Sequence, residues 1–526
     1  MTPYQPPVDD MLFVLEHVAR WRYGVDGLPD EAETRAVLEE AGKVCAEVVA
    51  PVNRAGDVTP ATFRDGSVTM PPGWKEAFST WAGAGWNGIS SPSAHGGAGM
   101  PAVLGAITME MFTSGCMALG TLPVLNQGAV EALAAHASPE LQVRYLPQLI
   151  SGEWGATMDL TEPQAGSDLS GMKTAAVPAA DGTYRIRGRK IYITYGEHDL
   201  TPNIVHLVLA RLPDAPAGTR GISLFIVPKF IPEADGTPGT RNDMVCLGIE
   251  KKLGIRSSPT CTMAYGEKDG AIGWLVGEPH QGLRCMFTMM NRARLAIGIQ
   301  GVAIGERAFQ QALAYAKERR QGRRSPDGDV VAIIEHPDVA RNLLMMASLV
   351  AASRALAYRA GAEIHRAAHA TDPAVRTRAQ AQADLLTPVV KAYATDAGVT
   401  VGSIGIQIHG GAGYVEETGA AQHWRDARIA PIYEGTNGIQ AIDLVTRKVL
   451  RDGGAALGEL IDEVRTVAAG FDISTEDAMR SAGAALCGAC DSAAAATEWM
   501  LAADRTPDAR LAVATPYAEM LAIVIA

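Results

Sequence analysis

The stretch IAPIYEGTNGIQ, Ile429 to Gln440, sets one carboxylate, Glu434, between an aromatic residue and a Gly-Thr-Asn turn, directly before a run with helical spacing. Two roles fit an acid there. It can complement the exposed N–H groups and positive end of a helix N-terminus, or it can act as a general base held away from water. The stretch alone does not choose between them. A second polar group lies in MDLTEPQAGSDLSGMKT, Met158 to Thr174. There Thr161, Ser167 and neighbouring N–H groups can hydrogen-bond a polar ring or a pyrophosphate, and Gly166 permits close backbone approach. The same residue types crowd ordinary surface loops, and on this segment alone that reading weighs more. In KIYITYG, Lys190 to Gly196, strand periodicity sets Tyr192 and Thr194 on one face and Ile191 and Ile193 on the other. An aromatic ring beside a hydroxyl suits a planar polar ligand; a half-buried strand explains it equally well.

Two arginine- and glycine-rich stretches carry the same ambiguity. ERRQGRRSP, Glu318 to Pro326, gathers Arg319, Arg320, Arg323 and Arg324 around one Gln-Gly pair. Cations suit a solvated helix C-terminus, which is the plainer reading; a pyrophosphate site is the alternative. IQIHGGAGYVEE, Ile406 to Glu417, ends a helical run in Gly410, Gly411 and Gly413, usual both for a C-cap and for backbone that approaches a phosphate. His409 reads as a packed histidine. GAGWNG, Gly83 to Gly88, matches the spacing of a dinucleotide-binding turn, but the segment before it reads as helix where that fold needs a strand. Cys487 and Cys490 form a lone CxxC without a second pair or nearby histidines, so no metal site is expected.

The elements that must position these residues follow from the rest of the chain. Its 526 residues are 47% hydrophobic and 20% charged, enough for several domains. A net charge of −12 disfavours nucleic acid as a partner. Seven cysteines in so long a chain suggest reduced thiols. The acidic start and the lack of any run near ~20 apolar residues predict a cytoplasmic protein with no membrane insertion. Helical spacing dominates to about Ile150. From Trp154 to Pro279 short β-type runs such as HLVLARL and GISLFIVPKF take over. From Gly282 to Leu450 long helical segments return, with Met346, Leu349, Val350 and Leu356 as an apolar stripe and Arg354 at its edge. After Asp452 an alanine-rich tail carries Leu457, Leu460, Ile461, Val464 and Val467 at helical spacing, and the apolar end LAIVIA fits either burial of the last residues or a native chain that continues further. The expected architecture is mostly α with a central β domain: an N-terminal extension (1–34), a helical domain (35–153), a β domain (154–280), a helix bundle (281–452) and a helical tail (453–526).

TEPQAGSD, KIYITYG, HGGAGY and YEGTNGIQ, in this order over about residues 35–450, resemble the acyl-CoA dehydrogenase family. The long N-terminal segment and tail look more like its larger bacterial members, which include the 3-methylmercaptopropionyl-CoA dehydrogenases. The resemblance implies FAD bound without a Rossmann fold. By similarity, Met158, Leu160, Thr161 and Ser167 lie along the flavin and acyl thioester, and Tyr192 and Thr194 meet the isoalloxazine ring. Arg319 and Gln321 of one subunit, with Gln407, Gly410 and Gly411 of another, hold the ADP half across a dimer interface. Thr436 meets the flavin side. Ser167, Met290, Arg294, Tyr433 and Gly435 border the acyl-CoA pocket, and two methionines, Met158 and Met290, suit an adaptable apolar wall.

Glu434 is then the base that removes the pro-R α-proton, while the β-hydrogen leaves as hydride to flavin N5 and trans-2-enoyl-CoA forms. The resemblance also implies that the Glu434 N–H and a ribityl hydroxyl hold the thioester oxygen, each such donor being worth roughly 3–4 kcal/mol. An electron-transfer flavoprotein takes the electrons. The sequence departs from the family in three places. Tyr192 stands where tryptophan is common, Gly322 where phenylalanine is common, and Gln164 where glycine is frequent. Ala293 stands where some members carry the base, which leaves Glu434 as the base at a family position. Two rival readings are an acyl-CoA oxidase and a DNA-associated relative; the acidic tail (Glu459, Asp462, Glu463, Glu476, Asp477) opposes the second. The tail is expected to dock on the helical domains and to favour a homodimer.

Overall fold

A computed structural model of the protein describes residues 2–526, which group into two compact units. One comprises Pro3–Pro6 and Leu38–Ala293; the other comprises Thr2, Pro7–Val37 and Arg294–Ala526.

In the first unit the helices Ala102–Gly115 and Met117–His136 are buried along almost their whole length, as their all-round apolar sequences require. Helix Pro139–Ser151 starts on Ser138, whose hydroxyl accepts the Leu141 N–H, and stops at Gly152 in a left-handed conformation (φ 79°). Its inner face (Tyr145, Leu146, Leu149) joins Trp154, Val205, Leu207, Ile226, Met286 and Met289 in one hydrophobic core. Each fully buried side chain of this kind contributes roughly 1.5–3 kcal/mol. The central sheet runs, edge to edge, through Met244–Ile249, Thr260–Tyr265, Tyr184–Thr194, Ala271–Val276, Ile222–Pro228, Asn203–Arg211 and Trp154–Asp159, with Ala175–Pro178 beside Tyr184–Thr194. Asn203–Arg211 is buried on both faces and reads accordingly as a continuous apolar run. GAGWNG follows the helix Trp74–Gly83 and ends in a short 3₁₀ turn, Trp86–Gly88, so no strand precedes it.

In the second unit the helices Pro337–His369 and Pro373–His409 lie side by side, joined by three residues. Asp372 caps the latter by accepting the Ala374 N–H, and Gly410 ends it at φ 60°. Pro337–His369 is long and apolar enough in part to cross a membrane, yet it turns Met346, Val350, Leu356 and Tyr358 into this bundle. Arg354 is not at the edge of that stripe. It is buried within it, with its guanidinium 2.8 Å from Glu306, because a cation at that depth needs a charged partner. The N-terminal segment is held by Arg366, which donates to the carbonyls of Arg20 and Tyr23 at 3.0 and 2.9 Å.

The tail helix Ala455–Gly470 docks on this bundle. Arg359 grips Glu463 through two bonds of 2.9 and 3.0 Å, Arg378 reaches Glu459 at 2.9 Å, and Gln382 donates to the Ala456 carbonyl. Leu457, Leu460 and Ile461 are buried as expected. Val467 is instead exposed and Ala468 takes the inner position, because the seam advances by four residues after Val464 rather than by three. In the last helix, Ala514–Ile525, Leu521, Ala522 and Val524 are buried while Ile523 faces out.

Candidate active site

Glu434 sits in a turn held by three backbone bonds. Ile432 and Tyr433 both donate to the Ile429 carbonyl (2.8 and 3.2 Å), and Asn437 donates to Pro431 (3.0 Å). Glu434 and Gly435 both adopt left-handed backbone, φ 54° and 87°. Glycine suits position 435 because L side chains rarely adopt that φ. The cap of the following helix, Asn437–Asp443, is Thr436, whose hydroxyl accepts the Ile439 N–H at 3.3 Å. Glu434 therefore does not cap that helix, and it accepts no hydrogen bond among the described residues. Its own N–H also donates to none of them.

Three helices supply its surroundings. The Tyr433 hydroxyl donates to Gln300 Oε1, while the buried Gln300 Nε2 finds no partner among the described residues. Lys391 is fully buried and donates to Asn437 Oδ1 at 2.9 Å; Asn437 Nδ2 donates in turn to the Ala392 carbonyl and to Thr395 Oγ1, both at 3.1 Å. Arg294, also buried, lies 3.9 Å from Asp443 Oδ2. Burial pushes the Glu434 carboxyl up to about 7, against the pull of the Lys391 and Arg294 charges. Burial also brings Lys391 down to about 8; Glu434 and Asp396 oppose that shift and Arg294 adds to it. A half-buried carboxyl balanced near neutrality beside two buried cations is suited to take a proton from carbon.

The first unit holds the residues singled out in the TEPQAGSD and KIYITYG stretches. Met158, Leu160 and Met290 are half-buried against the same core. Thr161 is half-buried and Ser167 is exposed. Between them Glu162 anchors the loop. It accepts from Lys173 N–H, Thr174 N–H and hydroxyl, and Lys190 Nζ at 2.5–3.0 Å. Burial alone would raise this carboxyl; Lys190 and the other donors outweigh it and hold it at about 2. Lys190 Nζ also donates to the Leu160 carbonyl at 3.0 Å.

The expected alternation of Tyr192 and Thr194 against Ile191 and Ile193 is broken. Lys190 pairs with Met263 and Ile193 with Cys261, so Ile191 and Tyr192 together face the single residue Thr262. Tyr192 takes a left-handed φ of 60° in this bulge. The bulge turns Lys190 fully inward, leaves Ile191 half-buried and lifts the Tyr192 ring outward, 61% exposed. Thr194, half-buried, pairs with Thr260.

Arg319, Gln321, Gln407, Gly410 and Gly411 are all exposed. His409 stacks on Tyr315 (4.4 Å between ring centres) and bonds the Gly405 carbonyl, so it is a packed histidine. That stack sets the last turn of the Pro373–His409 helix against the last turn of the Gly282–Glu318 helix. ERRQGRRSP is not only a helix end: Arg320–Arg323 forms a hairpin with Val330–Ala332. Gly322 sits there at φ 75° against His336, which accounts for glycine in place of phenylalanine. Lys391, Asn437, Gln300 and Glu162 were not singled out from the sequence. A signal existed for Lys391, a lone cation among small and apolar residues in TPVVKAYAT.

Comparison with known proteins decides the family. The acyl-CoA dehydrogenase N-terminal, middle and C-terminal domain families match residues 31–153, 157–267 and 280–450 in turn. The chain belongs to the acyl-CoA dehydrogenase family. It is 51% identical over 459 residues to 3-methylmercaptopropionyl-CoA dehydrogenase of Ruegeria pomeroyi, covering 86% of this chain and 77% of that one. It is 38% identical over 454 residues to a butyryl-CoA dehydrogenase of Syntrophomonas wolfei, covering 84% and 73%. In fold it is similar to Caenorhabditis elegans ACDH-11 in complex with C11-CoA (TM-score 0.75, 21% identity, 100% of this chain and 88% of that one). This acyl-CoA dehydrogenase is therefore an oxidoreductase, and its mostly helical build around a central sheet is that of the family.

Proposed function

We propose that this acyl-CoA dehydrogenase catalyses FAD-dependent α,β-dehydrogenation of an acyl-CoA thioester to the trans-2-enoyl-CoA and passes electrons to an electron-transfer flavoprotein. The carrying observation is Glu434, a carboxyl pushed to about 7 in a left-handed turn, uncapped and unbonded. Each unit, taken by itself, carries residues whose chemistry suits part of FAD. A bulge presents the Tyr192 ring, exposed hydroxyl and backbone groups line the loop at Ser167, and exposed Arg319, Gln321, Gln407, Gly410 and Gly411 suit a pyrophosphate and its ribose. FAD, when bound, supplies the acceptor for the substrate's β-hydride.

The chain's own residues do the rest. The Glu434 carboxylate takes the α-proton as the Cα–H bond breaks. Its backbone N–H, which has no partner among the described residues, donates to the thioester oxygen and stabilises the developing enolate. Tyr433, tied to Gln300, and Arg294 border the acyl-CoA beside Glu434. The 51% identity to 3-methylmercaptopropionyl-CoA dehydrogenase supports a short thioether acyl chain. Anaerobic titration of the purified holoenzyme with a panel of acyl-CoAs tests this. Flavin bleaching strongest with 3-methylmercaptopropionyl-CoA is expected; no bleaching with any thioester rejects the activity, and rapid peroxide release in air rejects the flavoprotein acceptor.

A further inference from the structure

Two cations act on Glu434, and the structure treats them differently. Arg294, on the helix Gly282–Glu318, has a carboxylate beside it, Asp443, which is itself 3.1 Å from Arg447. Lys391, on the helix Pro373–His409, is fully buried yet forms no ion pair among the described residues. Its bonded partner is the neutral Asn437, three residues beyond Glu434. Burying an ammonium without a counter-charge is costly, so such an arrangement persists where the charge is used. Asn437 is in turn fixed by the Ala392 carbonyl and Thr395 of the same helix, which locks the ammonium to the foot of the turn that carries Glu434.

We propose that Lys391, held by Asn437, is a positioning residue whose unpaired charge keeps Glu434 ionised at neutral pH; this deepens the reading of Glu434 as the base and rests on it. The charged groups facing Lys391 are Glu434 from the turn, Asp396 from its own helix and Arg294 from the helix Gly282–Glu318. Those facing Glu434 are Lys391 and Arg294. Arg294 is shared with Asp443, and the Asp396 side chain is exposed to solvent. The net field on Glu434 is therefore governed by Lys391. Burial without this ammonium would leave the carboxyl protonated at neutral pH, since a nearby opposite charge shifts a carboxyl by about 1–3 units.

The test is the pH dependence of kcat/KM of FAD-loaded protein with an artificial electron acceptor. Lys391→Gln should move the acidic limb upward by about one pH unit, about tenfold less activity below the limb, with the alkaline plateau close to that of the parent. Lys391→Arg should restore the limb. A limb that stays in place in Lys391→Gln, including the case of a uniform loss at all pH, overturns the proposal and marks Lys391 as merely structural. Should Lys391→Gln yield no FAD-loaded protein, Asn437→Ala carries the test: releasing the ammonium should displace the limb in the same direction, and an unmoved limb overturns the proposal. Glu434→Gln separates the two readings. If it retains turnover, the base assignment itself fails; if it is inactive at every pH while the Lys391→Gln limb is unmoved, only the role of Lys391 fails.

Discussion

A carboxylate is a useful base at neutral pH only when its surroundings raise it from its ordinary range without neutralising it altogether, and Glu434 meets that condition. Replacing Glu434 by glutamine keeps shape and removes the proton acceptor. The variant should purify yellow, and acyl-CoA should fail to bleach it, with turnover down by roughly 10²–10⁴-fold. In the parent, Glu434 is protonated below about 7 and ionised above it, so kcat/KM should rise with pH through that value and level off; a profile flat from pH 5 to 9 would contradict the assignment. Arg319→Ala should lose more FAD on gel filtration than Tyr192→Phe, since the first removes a charge-assisted contact and the second keeps the ring. At this scale the sequence singled out Glu434 as a lone acid before a turn, and only the family resemblance gave it the role of base. It was not readable for Lys391 or Gln300. Their importance comes from burial and partners far along the chain, such as Tyr433 on Gln300, and no local spacing encodes those.

Among the elements, the loop after Trp154–Asp159 depends on one buried pair. Glu162 gathers five donors, from Gln164, Lys173, Thr174 (N–H and hydroxyl) and Lys190, and Lys190 ties it to Leu160. Lys190 is pulled below its ordinary range by burial despite its partner, so the pair adds more to geometry than to net stability. Breaking it is another matter. Glu162→Gln leaves an uncompensated buried ammonium and should cost about 3–5 kcal/mol in denaturant unfolding, whereas removing both charges together should cost less. Glu162 is held far below its ordinary 4.5, so its contribution is complete above that pH and is lost as pH falls towards about 2. The strand itself was legible from its alternation, but its bulge was not. A left-handed tyrosine is set by pairing with Thr260–Tyr265, which the local sequence does not record.

For the whole chain, the order of helices, β domain and bundle was legible because the hydrophobic period changes at those two junctions, and the tail because an Asp-Gly-Gly turn and an alanine-rich composition set it off. The seam of the tail was legible only in part: spacing alone cannot tell Val467 from Ala468, and docking chose the smaller residue. Leu460→Ala should destabilise the tail by about 2–5 kcal/mol, read as earlier loss of helix signal in a thermal or denaturant scan. Arg319, Gln321, Gln407 and the exposed Tyr414 lie on the second unit, and we expect that surface to meet a second copy in a homodimer. Light scattering at micromolar concentration should return the mass of a dimer; a monomer that retains FAD would rule out a shared cofactor site.

The left-handed backbone at Glu434 sets robustness against turnover. A residue other than glycine, asparagine or aspartate holds that conformation at a cost of about 1–2 kcal/mol, and here the side chain is a half-buried carboxyl pushed to about 7. Glycine or asparagine at 434 would relieve both burdens and raise the melting temperature while abolishing catalysis. A laboratory selection for heat tolerance that never assays the reaction should therefore converge on this position and discard the base.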